Sequence, residues 1–280
     1  MPEIAMDYAF IRRESESEAT KILVMKDRQS RAVRAWVIRR KGLITADATE
    51  RAVEGIKELG HRGSVILKTD GEPAIKALRD AVLDQLGGGG IPETPPAYDS
   101  QANGSVENAV RLVKGVLRVH LHCLERKLAL EVPSDHPVLA WMTEHVGDVI
   151  SKYMVGVDGR TAYERLFGKP AREEALEFGE VVLYKKTRDQ SNVLIDSRWA
   201  RGVWLGKRWG SITNLVAVGD RVVECRTVQR VPKAERWDKA ALEAIRATPW
   251  ENPAASDSEV QVLPPQEPQA QPQDRLPEIV

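Results

Sequence analysis

The chain has 280 residues, 42% of them hydrophobic, which is enough for one ordinary domain and a smaller one. Its 41 basic and 41 acidic residues balance, and its two cysteines exclude a disulfide framework. No apolar run reaches about 18 residues and no signal peptide is evident, so we expect an intracellular protein without a membrane span.

The neutral total conceals an uneven distribution of charge along the chain. Residues 179–240 contain 13 basic and 7 acidic residues, whereas residues 241–280 contain 2 and 7. A basic module followed by an acidic segment indicates a polyanionic partner.

The first 168 residues have the pattern of strands followed by alternating helices and strands, which indicates an α/β core with a mixed sheet. A turn at Asp27–Ser30 separates two of the strands, and a loop at residues 91–105 precedes a long helix that starts at about Ser105. Strands are predicted at residues 2–10, within 21–38 on both sides of the turn, and at 64–70, and the other helices at 47–60, 73–86, 136–155 and 160–168.

Short β segments with turn signals replace this pattern after residue 178. They occupy residues 180–186, 201–208 and 214–231, with Gly219–Asp220 as a hairpin tip, and predict a small barrel or sandwich. Residues 241–280 are acidic and, from residue 251 on, rich in Pro and Gln, so we expect a disordered tail.

Three carboxylates are candidates for a shared site. Asp7 lies in the first strand, Asp70 ends a buried strand, and Glu107 opens the long helix. Each also has an ordinary structural interpretation, which is an edge-strand acid for Asp7, the N-cap of the next helix for Asp70, and a first-turn acid that complements the helix dipole for Glu107.

Carboxylates from two strands and one helix start can meet at one end of a sheet. Such a cluster is costly unless cations compensate it, and Mg²⁺ prefers oxygen ligands. Two such ions can activate an attacking oxygen and stabilise a leaving oxygen in phosphoryl transfer. The pattern therefore favours a metal-dependent reaction on a phosphodiester.

A basic stripe continues from Glu107 along the long helix. Arg111, Lys114 and Arg118 fall within about 40° of the Glu107 direction at 100° per residue. They could form a phosphate-binding track, or simply a solvated basic face. A separate apolar face, suited to packing on the sheet, is formed by Val106, Val110, Val113, Leu117 and Leu124.

Most of residues 3–240 resemble the integrases of retroviruses and, more closely, of copia-like LTR retrotransposons. Asp7, Asp70 in KTDGE and Glu107 in SQANGSVEN match the DDE triad of that family, with a spacing between the last two that is one residue longer than usual. Residues 24–38 resemble its second and third strands, GRTAYERLFGKP (159–170) the end of its catalytic domain, and RWARGVWLGK (198–207) the small β module that follows.

The resemblance implies an RNase H-like catalytic domain at residues 1–168, a linker at 169–178, a basic SH3-like β-barrel at 179–240 and a disordered tail at 241–280. It also implies an enzyme, a polynucleotidyl transferase that trims the 3′ ends of donor DNA and joins them to target DNA, as part of a Pol polyprotein. Asp7, Asp70 and Glu107 would bind two Mg²⁺ or Mn²⁺ ions. Gln101, Asn103 and Gly104 would lie in a mobile loop beside them, and Lys114 and Arg118 would contact donor DNA.

Further partners follow from the same resemblance. The protein would act in the nucleus as a homo-oligomer, without a membrane or an organic cofactor. We expect its basic module to bind DNA phosphates with little sequence preference and with a steep dependence on salt. The residues of the module assigned to this role are Lys185, Lys186, Arg188, Arg201, Lys207 and Arg208.

Two departures from the family pattern leave alternatives open. No counterpart of the family's N-terminal zinc domain precedes Asp7, and His120 and Cys123 lack a second ligand pair, so we expect no zinc. Glu72 follows Asp70 at a position where the family has Asn-Gly or Ser-Gly, and it is either a spare ligand or a first-turn helix acid. A catalytically inactive remnant that binds DNA remains the alternative function, and a general RNase H-type nuclease is a third.

Overall fold

The computed structural model describes residues 1–42, 47–94, 100–172, 176–186 and 198–251, and for residues 100–103 the backbone alone. Its first sheet contains β1 (Glu3–Ile11), β2 (Thr20–Asp27), β3 (Val33–Ile38), β4 (Ile66–Thr69) and β5 (Ile91–Glu93). The helices around it are α1 (Asp47–Glu58), α2 (Pro73–Gln85), α3 (Ser100–Leu128), α4 (Pro137–Tyr153) and α5 (Ala162–Phe167).

The strand order of this sheet is β3-β2-β1-β4-β5. The first three strands are antiparallel, while β1, β4 and β5 are parallel neighbours. This order, with helices on both faces, is the RNase H-like fold, and the predicted mixed sheet is confirmed. The edge strand β5 was missed because it has three residues, one of them Pro92, which only an edge strand tolerates.

Both faces of the sheet are covered by helices. Ile22 and Val24 on β2 pack with α3 and α4, whereas Leu23 and Met25 point to the other face and pack with α1 and α2. All four side chains are fully buried, which explains why β2 is a continuous apolar run rather than an alternating one. No helix in the described ranges is long and apolar enough to cross a membrane.

Helix α3 begins earlier than the sequence predicted. It starts at Ser100 instead of about Ser105 and runs for 29 residues, so Gln101, Asn103 and Gly104 lie in the helix and the prediction of a loop there is wrong. Gly and Asn are weak helix formers, but a penalty of about 1 kcal/mol for a glycine is small for a helix anchored along the sheet by tertiary packing.

The second sheet contains β6 (Val181–Lys185), β7 (Trp199–Lys207), β8 (Asn214–Val218), β9 (Arg221–Cys225) and β10 (Val228–Arg230). All its pairings are antiparallel, and the order β10-β6-β7-β8-β9 returns the last strand to the first. Gly219, with φ of 62°, occupies the tip of the β8–β9 hairpin as predicted. This return of the last strand to the first is the connectivity of SH3-like small barrels.

The second sheet packs directly on the core. Val203, Leu205, Leu215 and Ala217 belong to the same hydrophobic cluster as the inner faces of α3 and α4. The indole N–H of Trp209, which follows β7, donates to the carbonyl of Glu58 at the end of α1 over 3.2 Å. The two sheets therefore share one continuous core.

The segment that follows the second sheet differs from the predicted disordered tail. Residues 241–251 are ordered, and α6 (Lys239–Glu243) opens them, with Leu242 and Ile245 buried. The indole N–H of Trp141 on α4 donates to the carbonyl of Ala247 over 2.9 Å. These few apolar side chains suffice to anchor the segment, although the composition of the whole tail is polar; residues 252–280 lie outside the described residues.

A buried group of charges lies where the core meets the second sheet. Arg34 on β3 is 5% exposed, pairs with Asp148 and with Glu58 at 2.9 Å, and lies 4.8 Å from the centre of the Trp209 ring. Glu144 on α4 lies 3.8 Å from Arg51 and has 19% of its side chain exposed. Burial raises the pKa of Glu144 to about 7, although the positive charges of Arg51 and Arg34 act to lower it.

We expect Glu144→Gln to change the dependence of stability on pH. The pKa of Glu144 in the fold exceeds its ordinary value of 4.5, so the free energy of unfolding falls as pH rises from about 4.5 to about 7. The variant should match wild type near pH 4.5 and exceed it by about 1–2 kcal/mol at pH 8. Urea unfolding across this pH range measures the difference, with Glu50→Gln, an exposed acid on α1, as the control. If Glu144→Gln were no more stable than wild type at pH 8, the raised pKa of Glu144 would be contradicted.

Candidate active site

Asp7 lies on β1, the central strand of the first sheet. Along the strand it alternates with Met6 and Tyr8, which pack toward α1 and α2, and so shares its face with Ala9 and α3. Its Oδ1 accepts a hydrogen bond from the backbone N–H of Tyr8 over 2.7 Å. The side chain is therefore fixed on the face that α3 covers.

Asp70 follows the last residue of β4 directly. The parallel register pairs Met6 with Thr69, so the residues that follow them, Asp7 and Asp70, are neighbours across the two strands. Asp70 Oδ1 accepts from the N–H of Glu72 over 3.1 Å. The N-cap of α2 is Glu72, so the interpretation of Asp70 as that N-cap is wrong.

Glu107 lies on α3 two turns after its start, with an exposed side chain next to the buried Val106. The first turn of α3 contains no acid, so Glu107 is too far along the helix to act as a partner of its dipole. Helix α3 contacts β1 and β2, and the backbone carbonyl of Ser105 accepts a hydrogen bond from Lys26 Nζ on β2 over 3.1 Å, so this part of the helix lies near the strand that carries Asp7.

Burial and the neighbouring acids both affect the titration of Asp7. Burial raises its pKa to about 6, the Tyr8 N–H opposes this rise, and the charges of Asp70, Glu107 and Glu72 add to it. Among the described residues, however, no three acidic, His or Cys side chains are gathered closely enough to hold a metal ion. The donors are all carboxylates, which fits a hard divalent cation such as Mg²⁺, but the cluster is open.

Glu72 has a partner that sequence reasoning missed. Its carboxylate pairs with Lys41, which follows β3 in the chain. As N-cap residue of α2 it makes no side-chain capping bond, so its side chain is not engaged by the helix. The two residues are 31 positions apart, and no local sequence signal indicates the pair.

The stripe on α3 is available to an external anion. Arg111 and Arg118 are exposed and Lys114 is partly exposed. Within the described parts of the chain, none of these three cations forms an ion pair. Val113 and Leu117 are buried on another face of the helix, so the basic and apolar faces are separate. The predicted apolar face is confirmed, apart from Val110, which is partly exposed.

The cations of the β module differ in their surroundings. Arg201 pairs with Glu235 at 2.8 Å, Arg208 pairs with Glu224 beside the buried charges, and Lys207 lines the cleft between module and core. Lys185 is exposed and Lys186 partly exposed. Arg188 lies outside the described residues, and of Gln101 and Asn103 only the backbone is described.

His120 and Cys123 line a cleft of about 330 Å³ between α3, α4 and the second sheet. The structure adds His145 on α4, whose ring centre lies 5.8 Å from that of His120. Burial lowers the pKa of His145 to about 3. This cleft is not lined by Asp7, Asp70 or Glu107.

Comparison with known proteins gives structural likenesses only. No family model and no curated protein matches the chain. A simian T-cell lymphotropic virus intasome in complex with PP2A regulatory subunit B56 gamma is similar at 18% identity and a TM-score of 0.45, over 82% of this chain and 78% of that one. The catalytic core of BIV integrase (23% identity, TM-score 0.40) and that of HTLV-2 integrase in complex with magnesium (15%, 0.44) each cover 59% of this chain, and 93% and 95% of their own. The assignment of an RNase H-like core rests on the strand order and the layers of helices.

We expect Asp7 to titrate near pH 6 in the metal-free protein, and Glu107→Gln or Asp70→Asn to lower that midpoint, because each removes a negative charge that raises the pKa of Asp7. The free energy of unfolding should correspondingly fall as pH rises from about 4 to about 6. Carboxyl ¹³C chemical shifts in NMR measure the titration. Asp84→Asn, an exposed acid on α2, should leave the midpoint unchanged. A midpoint near 4 in wild type would contradict the burial of Asp7, and an unchanged midpoint in both variants would contradict the proximity of Asp70 and Glu107 to it.

Proposed function

We propose that the chain is the catalytic core and β module of an LTR retrotransposon integrase of the copia-like type, encoded within a Pol polyprotein. The observation that supports this proposal is that Asp70 follows β4 beside Asp7 in the β1–β4 register, while the helix over that face of β1 carries Glu107 and a basic stripe. A protein that only bound DNA would gain nothing from acids that repel phosphate at that place.

Asp7, Asp70 and Glu107 would hold two Mg²⁺ or Mn²⁺ ions. When bound, these ions supply activation of the attacking hydroxyl and stabilisation of the leaving oxygen in phosphoryl transfer. Asp7 must lose its proton to act as a ligand, and because its pKa in the metal-free protein is raised to about 6, metal affinity should weaken as pH falls below about 6. Arg111, Lys114 and Arg118 hold the DNA backbone on the adjacent turns of α3.

The proposed partners are donor DNA ends and target DNA, with copies of the same chain completing an oligomer. The site of action would be the nucleus, where target DNA is found. The β module would add phosphate contacts without sequence preference.

A second candidate function is an inactive remnant that binds DNA. The observation that favours it is the openness of the acidic cluster, because no three potential ligands among the described side chains are gathered around one point. Both candidate functions predict DNA binding, but only the first predicts catalysis.

The deciding experiment is cleavage and joining of a branched DNA substrate with Mn²⁺. We expect wild type to be active and Glu107→Gln to lose more than about 100-fold, because removal of a metal ligand removes several kcal/mol of transition-state stabilisation. Asp84→Asn controls for the loss of a carboxylate elsewhere on the core. Intact DNA binding without activity in wild type would favour the remnant.

The salt dependence of DNA binding tests the basic stripe. We expect the wild-type affinity for a duplex to fall steeply between 50 and 200 mM salt, as about one counterion is released for each phosphate contacted. Each of Arg111→Met, Lys114→Met and Arg118→Met should reduce the slope of log K against log salt by about 1. Arg126→Met is the matched control, since Arg126 is exposed on the same helix about 28 Å from Glu107. If all three variants had the wild-type slope, the basic stripe would not contact DNA phosphates.

A further inference from the structure

Lys41 is fixed beside the acidic site by contacts with two different elements. Its Nζ lies 5.0 Å from the centre of the Tyr8 ring and 4.6 Å from that of Phe10, and it pairs with Glu72. Tyr8 is the neighbour of Asp7 in the chain, and Glu72 follows Asp70 by two residues. The ammonium group is therefore held next to the segments that carry two of the three candidate ligands.

The backbone around Lys41 is also anchored. The N–H of Gly42 donates to the phenol oxygen of Tyr8 over 3.2 Å, and Tyr8 is only 5% exposed. Ile38 at the end of β3 and Phe10 both align with Lys21 of β2, so β3 ends level with Phe10. The strand register and this hydrogen bond place the backbone of Lys41 at the rim of the site. Neither depends on the conformation of the Lys41 side chain.

The side chain of Lys41 and the groups around it are partly accessible to solvent. The side chain of Lys41 is 26% exposed, that of Glu72 is 37% exposed, and Phe10 is 41% exposed. The acids around the site are Asp7, Asp70, Glu72 and Glu107. Among the described residues, Lys41 alone forms an ion pair with any of them. The pair is partly exposed, and its acid is more exposed than the acid of the Arg208–Glu224 pair, so exchange of Glu72 for another anion costs less there.

We propose that Lys41 binds a backbone phosphate of the DNA strand at the metal site, and that Glu72 is the partner it leaves when DNA binds. This role rests on the proposed function. Tyr8 packs toward α1 and α2, and Phe10, two residues on, lies on the same side of β1, whereas the basic stripe lies on α3 across the sheet. A strand that passes over the carboxylates is then held from both sides, by α3 on one and by Lys41 on the other.

A purely structural role for the pair makes a different prediction. If Lys41 and Glu72 served only to tie the β3–α1 connection to the start of α2, loss of either partner would affect the protein in the same direction. If Glu72 competes with DNA for Lys41, the two substitutions must have opposite effects on DNA binding.

The test measures the affinity of the full chain for a fluorescent 20-bp duplex in EDTA at several salt concentrations. Lys41→Met should weaken binding by about 5–10-fold at low salt and reduce the salt slope by about 1. Glu72→Gln should tighten binding by about 2–5-fold, because it removes both a competitor and a like charge. Lys41→Arg should retain the wild-type slope, since it retains the cation. Thermal unfolding of each variant verifies that it is folded.

The chain contains a matched control pair. Lys127 lies 4.3 Å from the centre of the Trp237 ring and pairs with Glu177, with 34% and 51% of the side chains exposed. It lies 20 residues after Glu107 on α3, about 30 Å along the helix. Lys127→Met and Glu177→Gln should leave affinity and slope at the wild-type values.

Three results separate the role of Lys41 from the proposed function. Opposite effects of Lys41→Met and Glu72→Gln, with unchanged controls, support the role. A wild-type chain that binds DNA, combined with a wild-type slope in Lys41→Met or weaker binding in Glu72→Gln, overturns the role and leaves the proposed function intact. A folded wild-type chain that binds no DNA overturns both.

Discussion

The parallel pairing of β1 with β4 is the contact on which the rest of the candidate site depends. It aligns Met6 with Thr69, and the residues that follow are the two acids Asp7 and Asp70. A shift of β1 by one residue in this register would turn every one of its side chains to the opposite face, and Asp7 would no longer share a side of the sheet with α3. The buried side chains on both faces of β1 and β2 hold the register in place.

The length and stiffness of α3 determine what lies around these acids. A single helix carries Glu107, the basic stripe and the apolar face that packs on β1 and β2, so the spacing between the acid and each cation is set by helix geometry. Burial of Asp7, with smaller contributions from Asp70, Glu107 and Glu72, raises its pKa from 3.8 to about 6 and so disfavours its charged form. Perturbed titration of this kind is common at functional sites.

Much of this arrangement could be predicted from the sequence, because it depends on local patterns. The alternation in β1, the apolar run of β2 and the spacing on α3 each follow from the nearest neighbours along the chain. The misses have physical reasons of other kinds. The Ser100 start of α3 overrides weak helix propensity, the edge strand β5 is too short to show a period, and Leu242 and Ile245 are anchored by contacts that a polar composition hides. The Lys41–Glu72 pair joins residues far apart in sequence, so only the fold brings them together.

The close packing of the second sheet on the core limits which of its cations can bind DNA. Arg208 lies at the buried interface and pairs with Glu224, and Arg201 pairs with Glu235, so a phosphate would have to replace an acid at either arginine. Replacement is cheap at the exposed Arg201 and costly at Arg208, because separating a partly buried pair leaves a charge without compensation. Lys185 and Lys186, at the end of β6, form no ion pair among the described residues and carry no such cost. If the module contacts DNA, its phosphate contacts should therefore be made at the end of β6 rather than at the arginines of β7 and the turn beyond it.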